Sequence, residues 1–165
     1  MKVSKPNRKS RKNSKLIPIV QPNLDDTDWA ILRLLQDDAR LNFSEIGRRV
    51  HLSQPAVVER VHGLEERGII TGYHAAVNTY KLGFPILAFI HVAARTLPET
   101  AQAAKVIQGI PEILECHRIT GIDGMILKAI APSIERLDEI IKDIARVSAP
   151  TTSVVLGSDF GRKTI

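Results

Sequence analysis

The sequence predicts an α+β protein with two modules, a group of three short helices followed by a β-α-β-β-α-β unit. Apolar residues recur at helical spacing between positions 24 and 68, whereas strand-like apolar runs alternate with helical patterns between positions 84 and 160. The 165 residues, 44% of them apolar, suffice for one ordinary domain or two small ones. The expected divisions are a basic arm at 1–23, a helical module with a wing and linker at 24–83, and a sheet-containing module at 84–165.

The net charge of +5 originates in the first fifteen residues. This stretch holds seven of the 23 basic residues and no acid, which leaves 16 basic residues against 18 acidic ones in the remainder. We expect the arm at 1–23 to be disordered, because Lys, Arg, Ser, Asn and Pro dominate it. Such an arm could attract phosphates in a salt-sensitive way, and a solubilising leader with no further role would have the same composition.

The composition argues against several classes of protein. Cys116 is the only cysteine, so an intrachain disulfide and a Cys-x-x-Cys metal site are excluded. The five histidines lack the spacing of metal ligands, and no glycine-rich phosphate loop is present, so neither a metal nor a cofactor is expected. A nucleophilic pair of Cys116 and His117 is disfavoured, because neighbours on a strand point to opposite faces. No apolar run is long enough to cross a membrane, which favours a cytoplasmic location.

Three helices are expected in the first module. A cluster of acids near residue 26 suits the positive end of the first helix dipole. Ser44 is expected to cap the second helix and Ser53 the third, where Pro55 is tolerated in the first turn. The segment 69–77, "IITGYHAAV", then predicts two short strands joined by a turn, which would form a wing.

The second and third helices are separated only by "HLS" at 51–53, as in a helix-turn-helix motif. Val57, Val61 and Leu64 form the buried stripe of the third helix, so its opposite face would meet a DNA major groove. Side chains on that face could contact bases, and arginines on the preceding loop and helix could bind phosphates. The residues expected at DNA are Arg40, Ser44, Arg48, Arg49, Ser53, Gln54, Pro55, Val58, Glu59, Arg60 and His62.

The same pattern also fits a three-helix bundle with a solvated outer face. Acids slightly outnumber bases from Leu24 to Gly83, so the net charge of this module does not itself favour DNA. Arg60 lies beside the buried stripe and suits a structural salt bridge as well as a phosphate contact.

The second module alternates strand and helix patterns. Strands are expected at 86–94, 113–121, 124–131 and 151–157, and helices at 98–110 and 133–147. A tight turn around Asp123 joins the two central strands of this order. The order β-α-β-β-α-β is that of the ferredoxin-like fold, which leaves one sheet face without a helix. A second copy of the chain is the simplest cover for that face.

The run from Leu24 to Gly83 resembles the amino-terminal half of the Lrp/AsnC family of transcriptional regulators, and the second module fits the same family. The resemblance depends on a dense string of residues at fixed spacing, which includes Leu24-Asp25, Ile31-Leu32, Glu45-Ile46, Leu52-Ser53, Arg60-Val61, Leu64-Glu65, Gly68-Ile69-Ile70 and Gly72-Tyr73. It implies a regulator that binds double-stranded DNA, dimerises through the second module, and assembles further into tetramers or octamers.

The resemblance also implies that small amino acids bind between dimers. A carboxylate would need hydroxyls or backbone N–H groups, and an ammonium would need an acid. The family's Thr-Gly-x-x-Asp turn has its acid one position later than Asp123, and this chain resembles a Thr-Gly-x-Asp variant. A tight turn that only satisfies its own backbone geometry would use the same residues. The residues expected at the effector are Thr120, Gly121, Asp123, Gly124, Thr151, Thr152 and Ser153.

Two alternatives to an effector-modulated regulator remain. Tetrapyrrole (sirohaem) decarboxylases resemble Lrp/AsnC proteins in both modules, and such an enzyme would bind tetrapyrrole and ignore DNA. A sensor domain with a vestigial helical bundle would bind a ligand without salt-dependent affinity for DNA.

Overall fold

A computed structural model describes residues 23–94, 96–159 and 163–165, so the prediction for the basic arm lies almost wholly outside it. Contacts divide the described chain into two compact units, one up to Tyr73 together with Thr164 and Ile165, the other from His74 to Lys163. The boundary expected between residues 83 and 84 stays a prediction, because residues 74–83 contain only a short 3-10 turn at Tyr80–Leu82. Each unit is described by itself below.

The first unit contains three helices, α1 (Asp26–Asp37), α2 (Phe43–Val50) and α3 (Gln54–Glu66). The helical periodicity predicted all three. They enclose one apolar cluster, because each helix turns one stripe inward. Its buried members are Ile31, Leu32, Leu35, Ile46, Val57, Val61 and Leu64.

The cap of α2 differs from the prediction. Asn42 is the N-cap, and its side chain accepts a hydrogen bond from the backbone N–H of Glu45 at 2.8 Å. Ser44 is the second residue inside the helix, so the prediction that it caps α2 is wrong. Both residue types serve as caps, and Asn42 prevails because the chain is already helical from Phe43. Ser53 caps α3 as expected, accepting from the N–H of Ala56.

Close backbone packing in the turn between α2 and α3 requires a glycine. The N–H of Leu52 donates to the carbonyl oxygen of Gly47 at 2.9 Å. A Cβ at position 47 would lie 2.5 Å from the carbonyl oxygen of Leu52, which is closer than van der Waals contact permits. The turn residue His51 has a left-handed backbone with φ of 58°. The three-residue connection therefore brings the helices together at a point where no side chain fits.

The strands expected at 69–77 do not form, so the predicted wing is wrong for the described chain. The N–H groups of Ile69 and Ile70 both donate to the carbonyl oxygen of Leu64, and the two side chains pack against the helical cluster. Residues 71–78 are exposed and follow no strand ladder. An isolated two-stranded hairpin is only marginally stable, and attachment of its first residues to α3 leaves it without a pairing partner.

The second unit has the predicted ferredoxin-like order. The elements are β1 (Ile86–Ala93), α4 (Leu97–Gln108), β2 (Ile113–Arg118), β3 (Gly124–Ala131), α5 (Ile134–Ala145) and β4 (Pro150–Val154). The strands form one antiparallel sheet in the order β2-β3-β1-β4, so β2 and β4 are its edges.

One face of this sheet is covered by helices and the other is open. Ala88, Ile90 and Val92 of β1 are fully buried in a cluster that includes residues of α4 and α5. Their neighbours point to the opposite face, where Phe89 is 37% exposed. The two faces of β1 differ in exposure because only one of them has a layer of helices packed on it.

Candidate nucleic-acid interface and effector groove

The third helix of the first unit divides into a buried face and an outward face. Val57, Val61 and Leu64 are at most 1% exposed, as the stripe predicted. The outward face carries the exposed side chains of Pro55, Glu59 and His62, together with the half-buried Val58. The outward face of α3 thus carries apolar, acidic and imidazole groups that a binding partner of this helix could contact.

Helix α2 is linked to the start of α3 by a side-chain hydrogen bond. The Ser44 hydroxyl donates to Oε1 of Gln54 at 2.7 Å, and both side chains are exposed. The Ser53 hydroxyl caps the same end of α3, and Pro55 occupies its first turn, where its missing N–H costs no hydrogen bond. Four residues predicted at DNA, Ser44, Ser53, Gln54 and Pro55, therefore lie together where the two helices meet.

The two arginines of α2 share one acid. The Arg48 guanidinium donates to Glu45 at 2.7–3.0 Å, and Nε of Arg49 lies 2.7 Å from Oε1 of the same carboxylate. Hydrogen bonds from Arg48 and then Arg49 lower the pKa of Glu45 to about 2. Exposed ion pairs of this kind are weak, so both guanidiniums can exchange Glu45 for another anion at little cost. Arg40 is also exposed, in the loop before α2.

Arg60 is held by acids of α1. Its Nη1 donates to Oδ2 of Asp25 at 2.8 Å and to Oδ1 of Asp28 at 2.7 Å. Asp28 is the buried member of this group, at 8% exposure. The hydrogen bond from the Asp28 backbone, followed by the one from Arg60, holds the pKa of Asp25 below its usual value. These contacts match the salt-bridge alternative for Arg60 rather than a phosphate contact.

The turn between β2 and β3 borders an open groove of about 770 Å³ in the second unit. Three predicted effector residues line it, namely Thr120, Gly121 and Gly124. The turn is fixed against β1, because the N–H of Ala94 donates to the Asp123 carbonyl and a Cβ at Gly124 would collide with the Ala94 carbonyl oxygen. The other described lining residues are Ala94, Thr100, Arg118, Ile119 and Ile122.

Two residues that line this groove, Arg118 and Thr100, are not among those that the sequence predicts at the effector. Arg118 is the last residue of β2 and lies opposite the buried Met125, hence on the helix-covered side of the sheet. Thr100 reaches the same groove from the first turns of α4. A basic residue two positions before the Thr-Gly pair was the available signal, but the pairing register that sets its direction is not visible in one sequence.

The remaining predicted effector residues lie elsewhere. The Asp123 carboxylate is 3.2 Å from Nδ1 of His91, a contact without hydrogen-bond geometry, and does not line the groove. Thr151 is paired with His91, and Ser153 with Phe89, so both belong to the open face of the sheet. Thr152 is paired with Ile90 on the covered face, and its hydroxyl is buried with no hydrogen-bond partner among the described residues. The structure therefore does not bring all seven residues together.

The structure agrees with the sequence in disfavouring a nucleophilic pair of Cys116 and His117. Cys116 pairs across the strands with Leu127 and His117 with Ile126, so the two side chains are on opposite faces. Burial raises the pKa of the Cys116 thiol, and the His117 ring is 3.2 Å from Glu115. In the described ranges, no three His, Cys, Asp or Glu residues form a group that could hold a metal ion. None of the helices described here has the length and apolar character needed to span a bilayer.

Family models match both units. Residues 24–65 match the AsnC-type helix-turn-helix domain, and residues 87–160 match the Lrp/AsnC ligand-binding domain. The chain is 38% identical over 135 residues to the uncharacterised HTH-type transcriptional regulator YezC of Bacillus subtilis, across 82% of this chain and 95% of that protein. It is 34% identical to LrpC of the same organism, across 80% and 91% of the two chains.

Solved structures agree with the sequence relatives. B. subtilis LrpC superimposes with a TM-score of 0.79 at 32% identity, covering 84% of this chain and 99% of that one. A transcriptional regulator of Neisseria meningitidis in complex with L-Met has a TM-score of 0.79 at 26% identity, covering 86% and 96%. These comparisons offer no support for the tetrapyrrole-decarboxylase alternative. The chain belongs to the Lrp/AsnC family of HTH-type transcriptional regulators.

Proposed function

We propose that this regulator binds duplex DNA as a homodimer by inserting the outward face of α3 into the major groove. The observation that carries the proposal is the two-sided character of α3, with its apolar stripe fully buried and Pro55, Glu59 and His62 exposed on the other side. A helix that projects in this way from a helix-turn-helix fits the width of the major groove.

Base contacts and phosphate contacts fall on different residues. Gln54 and His62 can hydrogen-bond base edges, Glu59 can accept from a cytosine amino group, and Val58 can touch a thymine methyl. Arg40, Arg48 and Arg49 carry the exposed positive charge next to this face, and they would bind phosphates. To do so, Arg48 and Arg49 would exchange their ion pairs with Glu45 for contacts to phosphate. This exchange costs little, because exposed ion pairs are weak.

The open face of the sheet supports self-association. Leu87 and Phe89 of β1 lie on it near Ile126 and the largely buried Ile130 of β3, with Lys128 directly opposite Phe89, so several apolar side chains on this face are left without a covering layer. A second copy packed face to face would bury these side chains, and the dimer's two-fold axis would relate its two α3 helices to each other. Two such helices would read palindromic half-sites, and further assembly into tetramers or octamers would bend or wrap the DNA.

A small effector that carries a carboxylate, such as an amino acid, would bind at the turn between β2 and β3. The groove lined by Thr120, Gly121 and Gly124 supports this, as does the bound L-Met in the Neisseria relative. If the effector stabilises one assembly over another, it alters DNA affinity by the same coupling free energy with which DNA alters effector affinity.

The DNA interface is tested by comparing two substitutions in gel-shift titrations with operator and random DNA. His62→Ala is expected to reduce discrimination between the two duplexes, by about 1–3 kcal/mol if one base contact is lost. Arg48→Ala should weaken the binding of both duplexes equally. It should also reduce the dependence of the binding affinity on salt concentration by the amount expected for about one phosphate contact. Lys142→Ala, an exposed change on α5, is the matched control and should alter neither property.

The operator for these titrations would come from genome-wide mapping of bound sites. Unchanged discrimination by His62→Ala would show that another face of α3, or another element, meets the bases. Absence of any shift at low ionic strength would contradict DNA binding itself.

A further inference from the structure

We propose that the Ser44 hydroxyl sets which end of the Gln54 side-chain amide faces the base pairs, and that Gln54 therefore reads a hydrogen-bond acceptor in the major groove. The base favoured on the contacted strand is then guanine, and the base disfavoured there is cytosine. This inference rests on the proposed insertion of α3 into DNA, and it names the chemistry that one residue of α3 recognises. Ser44 is a positioning residue, because it acts on the bases through Gln54.

Gln54 lies at the end of α3 where a recognition helix meets base edges. It is the first residue of the helix, directly after the N-cap Ser53, and its side chain is exposed. In helix-turn-helix proteins, the N-terminal residues of the second helix are the ones that contact bases. The cap and the fully buried Val57 fix the first turn of α3, so the place of the Gln54 backbone is determined. What is left to be set is the direction of its amide, which has a donor end and an acceptor end.

Ser44 is held at a place from which its hydroxyl reaches that amide. It is the second residue of α2, and the side chain of Asn42 caps the first turn of this helix. A serine hydroxyl inside a helix can donate to the carbonyl oxygen four residues earlier, but here that residue is Arg40, which precedes the helix. The hydroxyl thus has no carbonyl of its own helix to bond, and it donates to Oε1 of Gln54 at 2.7 Å.

This hydrogen bond determines which group of the Gln54 side chain is available to a ligand. Because Oε1 accepts from Ser44, the NH₂ group is the end of the amide left for another partner, and no described residue accepts a hydrogen bond from it. An exposed hydrogen bond is weak in water, but insertion of α3 into the groove would exclude water from around it. The orientation that exists in the free protein would then be the one presented to the bases.

The four bases differ in what they offer to an NH₂ group in the major groove. Guanine presents two acceptors, adenine one acceptor beside a donor, thymine one acceptor, and cytosine only a donor. An NH₂ group that faces the cytosine amino group would leave donors opposed to each other and away from water, which is unfavourable. The expected order therefore places guanine first and cytosine last. A carbonyl oxygen that faced the bases would place cytosine ahead of guanine.

The test measures the affinity of the full chain for operator duplexes that carry each of the four base pairs at one half-site position. Gln54→Ala identifies the position, because loss of this side chain should abolish the base preference there and leave it intact elsewhere. At that position the parent is expected to bind the guanine duplex about tenfold more tightly than the cytosine duplex.

Ser44→Ala should reduce this ratio to about threefold or less, because the amide can then turn its oxygen to the cytosine amino group. Ser44→Thr keeps the hydroxyl and should restore the ratio. Ser158→Ala, which alters an exposed serine of the second unit, is the matched control and should give the parental ratio. Rescue by threonine separates positioning of the amide from a bond that only joins α2 to α3.

Several results would overturn the inference. A parental preference for cytosine would mean that the amide oxygen faces the bases. An unchanged ratio in Ser44→Ala, including equal weakening of all four duplexes, would mean that the hydroxyl does not set the direction of the amide. In both cases the operator would still be bound and His62→Ala would still reduce discrimination. Failure of the DNA proposal would be seen differently, as absence of binding to every duplex by the parent.

Discussion

Arg60 shows at the level of a single residue how position along a helix differs from role. Helical spacing placed it beside the buried stripe of α3 and left two roles open. The structure pairs it with Asp25 and Asp28, which are 35 and 32 residues away in sequence. Such long-range pairing cannot be read from spacing, because it depends on how α1 crosses α3. We infer that Arg60 sets the position of α3 and leaves phosphate contacts to Arg48 and Arg49.

Replacement of Arg60 tests this role. Arg60→Met keeps the length of the side chain and removes the charge, so the buried Asp28 carboxylate loses its cation. We expect the free energy of unfolding to fall by about 1–3 kcal/mol, measured by urea denaturation. Arg49→Met removes only an exposed pair and should leave the unfolding midpoint unchanged. Equal stability of the two variants would mean that the contact to Asp28 contributes nothing.

The connection between α2 and α3 tests the packing of whole elements. Gly47→Ala would place a methyl group 2.5 Å from the Leu52 carbonyl oxygen, so the two helices must separate. We expect a loss of about 1–3 kcal/mol in unfolding free energy, with weaker DNA binding as α3 is displaced. Gly63→Ala in α3 is the control, since no atom lies within 4 Å of its Cβ position, and it should stabilise by about 0.5–1 kcal/mol. A neutral Gly47→Ala would show that the turn can relax without moving α3.

Elements were predictable where a single periodicity continued long enough to identify them. The three short helices and the ferredoxin-like strand order follow from spacings of 3.6 and 2. The cap of α2 is not decided by the sequence, because Asn42 and Ser44 are both good caps and lie two positions apart. The prediction of a wing is wrong for a different reason. Ile69 and Ile70 have the apolar character of strand residues, but their side chains pack on the helices. The sequence predicts the turn residues that line the groove but not Arg118. The sheet face on which the Arg118 side chain lies depends on the cross-strand register.

At the scale of the whole molecule, the open sheet face governs the expected assembly. Phe89→Glu would replace a large apolar side chain on this face by a carboxylate opposite Lys128, and a sheet-to-sheet dimer would have to bury this further charge. We expect sedimentation equilibrium to show monomers, with circular dichroism unchanged, because Phe89 is 37% exposed in the single chain. Ile134→Glu, at an exposed position of α5, should leave the assembly intact. Persistence of the parental mass in Phe89→Glu would exclude this face as the contact.

The two edges of the sheet have a consequence for the protein at high concentration. An unpaired strand edge is a template on which further chains can add by backbone hydrogen bonding, and this is how fibrils grow. The outer strand β2 carries Glu115, His117 and Arg118, while β4 begins with Pro150, which has no N–H to donate. The charged side chains on β2 and the proline on β4 oppose edge-to-edge strand pairing. At high concentration the molecules can therefore associate through their open sheet faces without forming fibrils through their edge strands.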